Sequence, residues 1–144
     1  MKQPEAKAIV WRDEYSIGVS DIDLQHQRLL FLLNKLNTLI SQGRIERSRI
    51  LLDLLDGFNE YASYHFKAEE QLMQEHLPAD EALSQHLAAH RAYWSNIPIL
   101  TDRYKNGDPV AALELVDYLN NWWVDHILAT DQKMGRQLQL LGVD

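Results

Sequence analysis

The chain has 144 residues, of which 46% are hydrophobic and 24% charged, with no cysteine and a net charge of −7 at pH 7. This composition suits one globular domain with a sizeable core, excludes disulfides and thiolate ligands, and argues against nucleic-acid binding because no basic stripe is present. No apolar run approaches the roughly 20 residues of a membrane-spanning helix, and the start "MKQPEAKAIVWRDEY" lacks the apolar core of a signal peptide, so we expect a cytoplasmic protein without membrane insertion.

Hydrophobic periodicity along the chain predicts an arm followed by four helices. The arm, about residues 1–18, has no sustained period, whereas about residues 19–141 carry four helical stripes separated by breakers. The first helix begins at "SDID", where Ser20 or Asp21 can cap it, and ends at "SQGR". Pro78, in "HLPAD", separates the second helix from the third.

The segment "KNGDP" separates the third helix from the fourth. Gly107 suits a helix C-cap, Asp108 an N-cap and Pro109 the first helical position. No segment alternates in the way that a half-buried strand would. Four helices with short connections predict an all-α fold, namely an antiparallel, up-down-up-down four-helix bundle with an N-terminal arm, in one domain over residues 1–144.

Polar side chains interrupt the apolar stripes that should face the core of this bundle. They are His26, His65, Glu69, His86, His90 and His126. An unpaired polar group in a core costs a few kcal/mol. Antiparallel helices meet at equal distances from their connecting loop, and at about 1.5 Å of rise per residue all six groups should fall at a similar height. A lone core histidine is more often hydrogen-bonded than a ligand, but a shared metal satisfies all six groups together. The pattern therefore predicts a metal site.

The donor types narrow the choice of metal without deciding it. Five imidazoles exceed the four ligands of one zinc, and imidazole with carboxylate suits iron, zinc, copper or nickel. Asp131 follows His126 by five residues, about 140° round a regular helix, so it joins the site only if the fourth helix has a wide turn there. Five histidines, two bridging carboxylates and a bridging oxygen leave one of the twelve positions of two octahedral metals open, which suits a small ligand.

These residues resemble the hemerythrin family, and specifically the single-domain bacteriohemerythrins. The resemblance covers nearly the whole chain, from "IGVSDIDLQHQRL" through "HFKAEE" and "HLAAH" to "WWVDHILATD". The family pattern is H, then HxxxE, then HxxxH, then HxxxxD, and every position matches in order. The matching residues are His26, His65, Glu69, His86, His90, His126 and Asp131.

The resemblance implies a four-helix bundle with a non-haem di-iron centre. By carry-over, His86, His90 and His126 bind one iron, His26 and His65 bind the other, and Glu69 and Asp131 bridge them. The implied cofactors are two iron ions (Fe²⁺/Fe³⁺) with a bridging oxo or hydroxo group.

The implied function is reversible binding of dioxygen at the open position of one iron, for oxygen transport, storage or delivery to an oxygen-using enzyme. On this view the chain is not an enzyme, apart from weak oxidase or peroxidase activity. The alternatives are an oxygen or redox sensor that acts through a partner, and a di-iron enzyme that acts on peroxide or nitric oxide.

One departure from the family concerns the oxygen pocket. The family usually has "WLVNH" before the last histidine, whereas this chain has "WWVDH", so Trp123 replaces a leucine. Trp123 either restricts access of the ligand or turns into a helix interface. The positions that match the family's pocket are Leu29, Phe66, Trp122, Trp123 and Ile127.

Overall fold

Helices dominate the structure, a computed structural model in which residues 8–43 and 49–144 are described. The helices are α1 (Ser20–Ser41), α2 (Arg49–His76), α3 (Glu81–Lys105), α4 (Ala111–Asp125) and α5 (Gln132–Leu140). A 3-10 turn, Asp13–Tyr15, precedes α1, and a π-helical segment, His126–Asp131, joins α4 directly to α5. Residues 1–7 of the predicted arm and Arg44 of the predicted first connection lie outside the described residues.

The helices form the predicted bundle. Helix α1 packs against α2 and α4, α2 packs against α3, and α3 packs against α4. Because the connections are short, successive helices run in opposite directions, and α4, the π-helical segment and α5 together form the fourth rod. The all-α, up-down-up-down prediction is confirmed, and the described residues contain no strand. No helix within them is both long enough and apolar enough to cross a membrane.

Two helix starts differ from the prediction. Val19 precedes α1 without a side-chain cap; the nearby carboxylate that accepts hydrogen bonds is Asp23, from the Ile17 N–H at 2.8 Å and the Ser16 hydroxyl at 2.5 Å. Helix α4 begins at Ala111 rather than at Pro109.

The later start of α4 has a local cause. The Asp108 carboxylate accepts from the Val110 N–H at 3.1 Å and from the Arg103 guanidinium at 2.7 Å, which stabilises a turn before the helix. The predicted end of α3 is correct, since Gly107 follows it with φ +88°, a conformation that glycine adopts without strain.

The arm is fixed to the bundle at both of its described ends. Ile9 exchanges two 2.7 Å hydrogen bonds with the Asn34 side chain on α1. The Gln132 side chain donates to the Glu14 and Ser16 carbonyl oxygens, both at 2.8 Å. Near these contacts, the backbone of Ile17 lies directly against α5. The arm therefore packs against α5, immediately after the π-helical segment.

Candidate metal centre

All seven predicted site residues lie together in the interior of the bundle. Their exposed fractions range from 0% to 5%. Helix α1 provides His26, α2 provides His65 and Glu69, and α3 provides His86 and His90. The π-helical segment carries the remaining two, at its first and last positions. Each polar residue that interrupts an apolar stripe therefore points to the same level of the bundle core, and all four rods contribute such residues.

The π-helical segment accounts for the five-residue spacing of His126 and Asp131. On a regular helix the two side chains would diverge by about 140°. The wider turn over His126–Asp131 instead brings Asp131 Oδ1 to 3.2 Å from His126 Nε2. The predicted wide turn is therefore present, and such segments are frequent at functional sites.

The donor atoms fall into two groups that share Glu69. One group consists of Glu69, His86, His90 and His126, and the other consists of His26, His65, Glu69 and Asp131. Within each group, the donor atoms lie within 4.8 Å of one another. Both sets combine imidazole nitrogens with carboxylate oxygens, the donors that suit iron, zinc, copper and nickel.

Both carboxylates lie between the two groups of histidines. Asp131 Oδ2 is 3.0 Å from His26 Nε2, while its Oδ1 is 3.2 Å from His86 Nε2. Glu69 Oε2 is 3.8 Å from His26 Nε2, while its Oε1 is 3.4 Å from His90 Nε2. Asp131 therefore offers one oxygen to each group, as a bridging ligand requires, whereas Glu69 Oε1 lies 3.4 Å from histidines of both groups, His65 and His90.

The outer ring nitrogens of two histidines are fixed by hydrogen bonds, which determines what their inner nitrogens can do. His65 Nδ1 lies 2.8 Å from the amide oxygen of Gln25, and His90 Nδ1 lies 2.9 Å from the carboxylate of Glu70. These oxygens can only accept, so each Nδ1 carries the proton and each neutral ring presents a lone pair at Nε2. Both lone pairs face Glu69 Oε1 at 3.4 Å. In the neutral rings these nitrogens and the carboxylate oxygen are all acceptors, which a cation between them would satisfy.

Unpaired polar atoms concentrate at the same place. In the described part of the chain, the buried side-chain nitrogens and oxygens without a hydrogen-bond partner are His26 Nδ1 and Nε2, Asn59 Oδ1, His65 Nε2, both oxygens of Glu69, His86 Nε2 and both oxygens of Asp131. All but one of these atoms belong to the cluster. Each would cost about 1–3 kcal/mol if left unsatisfied, and metal coordination would satisfy together the atoms of the cluster that face inward, which are all of them except His26 Nδ1. The residues present therefore fit a bound metal.

The two carboxylates of the cluster are ionised in the interior. Burial raises the pKa of Glu69 and of Asp131, and Asp131 raises that of Glu69 further, but nearby imidazoles, led by His65 and His126 respectively, bring both values below their ordinary range. Burial lowers the pKa of His86, yet Asp131 and Glu69 beside it raise the net value to about 9. Two ionised carboxylates in a low-dielectric core attract cations strongly.

Aromatic rings cover one side of the cluster. Phe66 stacks on His90 with ring centroids 4.0 Å apart, and Trp122 stacks on His126 at 4.3 Å. Trp123, which is fully buried, stacks on Phe66 at 5.1 Å. These rings exclude water from the histidines beneath them.

Trp123 both fills a helix interface and borders the cluster. Its ring packs edge-on to Phe58 of α2 at 5.7 Å, and its indole N–H donates to the Tyr93 hydroxyl of α3 at 3.3 Å. Its centroid also lies 5.9 Å from the His65 ring.

The other two predicted pocket residues are fully buried. Leu29 belongs to the core cluster that contains Phe66 and Trp123, whereas Ile127 packs with Tyr15 and Leu30 next to the arm. A cavity of about 260 Å³ reaches the cluster from the α2–α3 turn, where His86 and Lys133 are among its lining residues.

Three residues that support the site were missed in the sequence analysis. Gln25 and Glu70 accept hydrogen bonds from the outer nitrogens of His65 and His90, and the Tyr93 hydroxyl accepts one from the Trp123 indole. Gln25 directly precedes His26, and Glu70 directly follows Glu69, so the sequence places both residues next to predicted donors. Their contacts join different helices, however, and helical periodicity does not predict which side chains meet across a bundle.

Comparison with known proteins agrees with this site. Residues 17–138 match the family described as the hemerythrin HHE cation binding domain. The chain is 28% identical to the bacteriohemerythrin of Stenotrophomonas maltophilia over 131 residues, which cover 91% of this chain and 82% of the relative. It is 30% identical to that of Methylococcus capsulatus over 122 residues, covering 85% and 89%, and 25% identical to that of Clostridium acetobutylicum over 126 residues, covering 86% and 96%.

The fold and the buried cluster of histidines and carboxylates thus define an all-helical protein with a site that fits metal binding. The chain belongs to the hemerythrin family, as its sequence resemblance predicted.

Proposed function

We propose that the protein is a non-haem di-iron protein of the cytoplasm that binds dioxygen reversibly, for transport, storage or delivery of oxygen. The observation that supports this most directly is the convergence of seven buried donors from four rods in two groups that share Glu69. We assign one iron to His86, His90 and His126, and the other to His26 and His65. Glu69 and Asp131, whose oxygens face both groups, are assigned as the bridges.

His26, His65, Glu69, His86, His90, His126 and Asp131 would hold a pair of irons, which in the reduced state would supply the two electrons for reversible binding of dioxygen. The protein contributes a fixed charge balance around this pair. Glu69 and Asp131 offset part of the positive charge inside the bundle, and the hydrogen bonds at Nδ1 orient the imidazoles of His65 and His90 with Nε2 towards the cluster. Because dioxygen is neutral, its arrival brings no net charge into the low-dielectric core.

The aromatic cover supports binding rather than turnover. Phe66, Trp122 and Trp123 pack over or beside His90, His126 and His65. Aromatic cover over these histidines limits the access of protons and water from that side, which otherwise promote side reactions. We therefore assign these rings to the protection of the reduced centre, and we keep Leu29 and Ile127 as pocket residues under the same proposal.

The decisive experiment measures metal content and reversibility on the same sample. The purified protein should contain about two irons per chain, the number that two donor groups accommodate. After anaerobic reduction, oxygen should produce a new visible absorption band that disappears under vacuum and returns with oxygen.

Other results would contradict the proposal. Zinc in place of iron, or far fewer than two irons per chain, would argue against a di-iron centre. Irreversible oxidation on the first exposure to air would favour the alternative classes, a sensor that signals through a partner or an enzyme that acts on peroxide or nitric oxide.

A further inference from the structure

The two groups of donors differ in the residues that accept hydrogen bonds from the outer nitrogens of their histidines. On the side of His26 and His65, the outer nitrogen of His65 donates to Gln25, a neutral amide that is itself buried. On the three-histidine side, the outer nitrogen of His90 donates to Glu70, a carboxylate whose side chain is 33% exposed. The two hydrogen bonds have similar lengths, 2.8 Å and 2.9 Å, so charge is the main difference between them.

We propose that Glu70 is a positioning residue that makes the two iron positions unequal. It orients His90 so that Nε2 faces the cluster. Its negative charge favours the ferric state at the three-histidine position over the position of His26 and His65, where Gln25 is the hydrogen-bond partner. This inference rests on the proposed di-iron function and adds a specific division of labour within it.

The physical basis is the behaviour of an imidazole between a carboxylate and a metal. A carboxylate that accepts the Nδ1 proton increases the electron density of the ring and makes Nε2 a stronger donor. A stronger donor stabilises Fe³⁺ more than Fe²⁺, because the interaction grows with the charge of the ion. A neutral amide oxygen fixes the ring in the same way but polarises it less, since charge-assisted hydrogen bonds are roughly twice as strong as neutral ones.

The surroundings of His90 strengthen this effect. Its side chain is only 3% exposed, and one face of its ring is covered by Phe66 at 4.0 Å. The His90 side of this hydrogen bond is therefore shielded from water, whereas the Glu70 side chain is 33% exposed.

Glu70→Gln is the informative substitution, because it keeps an oxygen that can accept from His90 Nδ1 and removes only the charge. The matched control is Glu75→Gln, which removes the same charge from an exposed position on the same helix, where the carboxylate accepts from Gln71. Gln25→Glu is the reciprocal change, since it places a charge behind His65.

The measurements are the reduction potential of the iron-loaded protein and the Mössbauer spectrum of the half-reduced form. Glu70→Gln should shift the potential upward, Gln25→Glu should shift it downward, and Glu75→Gln should leave it at the wild-type value. In the half-reduced protein, combining Glu70→Gln with Gln25→Glu should change which site holds the ferric ion. Glu70→Ala, which also removes the hydrogen bond, should weaken ferrous iron binding by roughly 10–100-fold in a chelator competition.

Two failures are distinguishable. If the wild-type protein does not load about two irons per chain, the proposed function is wrong and the inference falls with it. If the wild type loads iron but Glu70→Gln has the same potential as Glu75→Gln, only the inference about Glu70 is overturned. Far-UV circular dichroism of each variant checks that the bundle is intact.

Discussion

Trp123 shows how one side chain can serve both packing and the site. Its ring is fully buried, contacts α2 through Phe58 and Phe66, and donates a hydrogen bond to Tyr93 on α3. The same ring lies 5.9 Å from the His65 ring. The two interpretations of this residue, helix interface and restriction of the pocket, are therefore compatible, and a substitution must separate stability from ligand access.

Trp123→Leu should lower the free energy of unfolding by about 2–3 kcal/mol, because it leaves a cavity and removes the stack on Phe66. If the ring restricts access, oxygen dissociation and autoxidation should both become faster. The measurements are denaturant unfolding and stopped-flow kinetics of the oxygenated protein.

Phe58→Leu is the matched control for Trp123→Leu. It also creates space in the core beside Trp123, so it should reduce stability comparably while leaving the tryptophan in place. Equal oxygen dissociation rates in wild type and Trp123→Leu would contradict the restriction of access, whatever the loss of stability.

At the scale of elements, the contact between the arm and α5 depends on a glycine. A Cβ at Gly135 would lie 2.2 Å from the carbonyl oxygen of Ile17 and 2.8 Å from its Cβ. Two polypeptide segments can approach this closely only without a side chain. The arm therefore holds its place beside the π-helical segment through a contact that any other residue at position 135 would disrupt.

Gly135→Ala should destabilise the protein by about 1–3 kcal/mol because the arm must move. Gly57→Ala is the control: it lies in α2, and an added Cβ meets nothing within 4 Å, so the alanine should stabilise the helix by about 0.5–1 kcal/mol. Thermal melting of both variants tests this pair. A neutral Gly135→Ala would mean that the arm does not depend on this contact.

The elements also show what the sequence could and could not predict. The periodic stripes correctly predicted four rods, and the spacing of His126 and Asp131 correctly predicted a wide turn. The predicted caps of α1 were wrong because the choice among Ser20, Asp21 and Asp23 depends on the path of the arm. Contacts across the bundle, such as that of Glu70 with His90, depend on the rotation of packed helices, which local patterns do not determine.

At the scale of the whole molecule, the proposed metal binding would be coupled to the stability of the fold. The buried donors that coordination would satisfy come from all four rods. A ligand that binds only the folded state raises its stability in proportion to the logarithm of its concentration over the dissociation constant. Removal of iron should therefore lower the melting temperature of the entire bundle rather than loosen one segment.

This coupling should depend on pH. In the stripped protein, the raised pKa of His86, about 9, means that protonation of this ring stabilises the fold fully below its unfolded pKa of about 6.5 and that this stabilisation is lost as the pH rises through about 9. The same proton must leave before a metal binds. Ferrous iron, added under nitrogen, should therefore raise the melting temperature more at pH 8 than at pH 6.

The comparison is made by calorimetry with and without iron at each pH. A variant with His76→Gln, on the exposed end of α2, should show the same pH dependence as wild type. An iron-induced shift that is larger at pH 6 than at pH 8 would contradict the role of His86 as a proton competitor.

The distribution of donors over every rod has one more consequence, for the way in which an ion could leave. Each helix closes part of the enclosure, and the short links between helices keep their ends together. Under the proposed function, loss of the ion should be fastest when a rod moves away from the helices against which it packs, so the rate of iron loss to an excess of chelator should report how often the bundle opens.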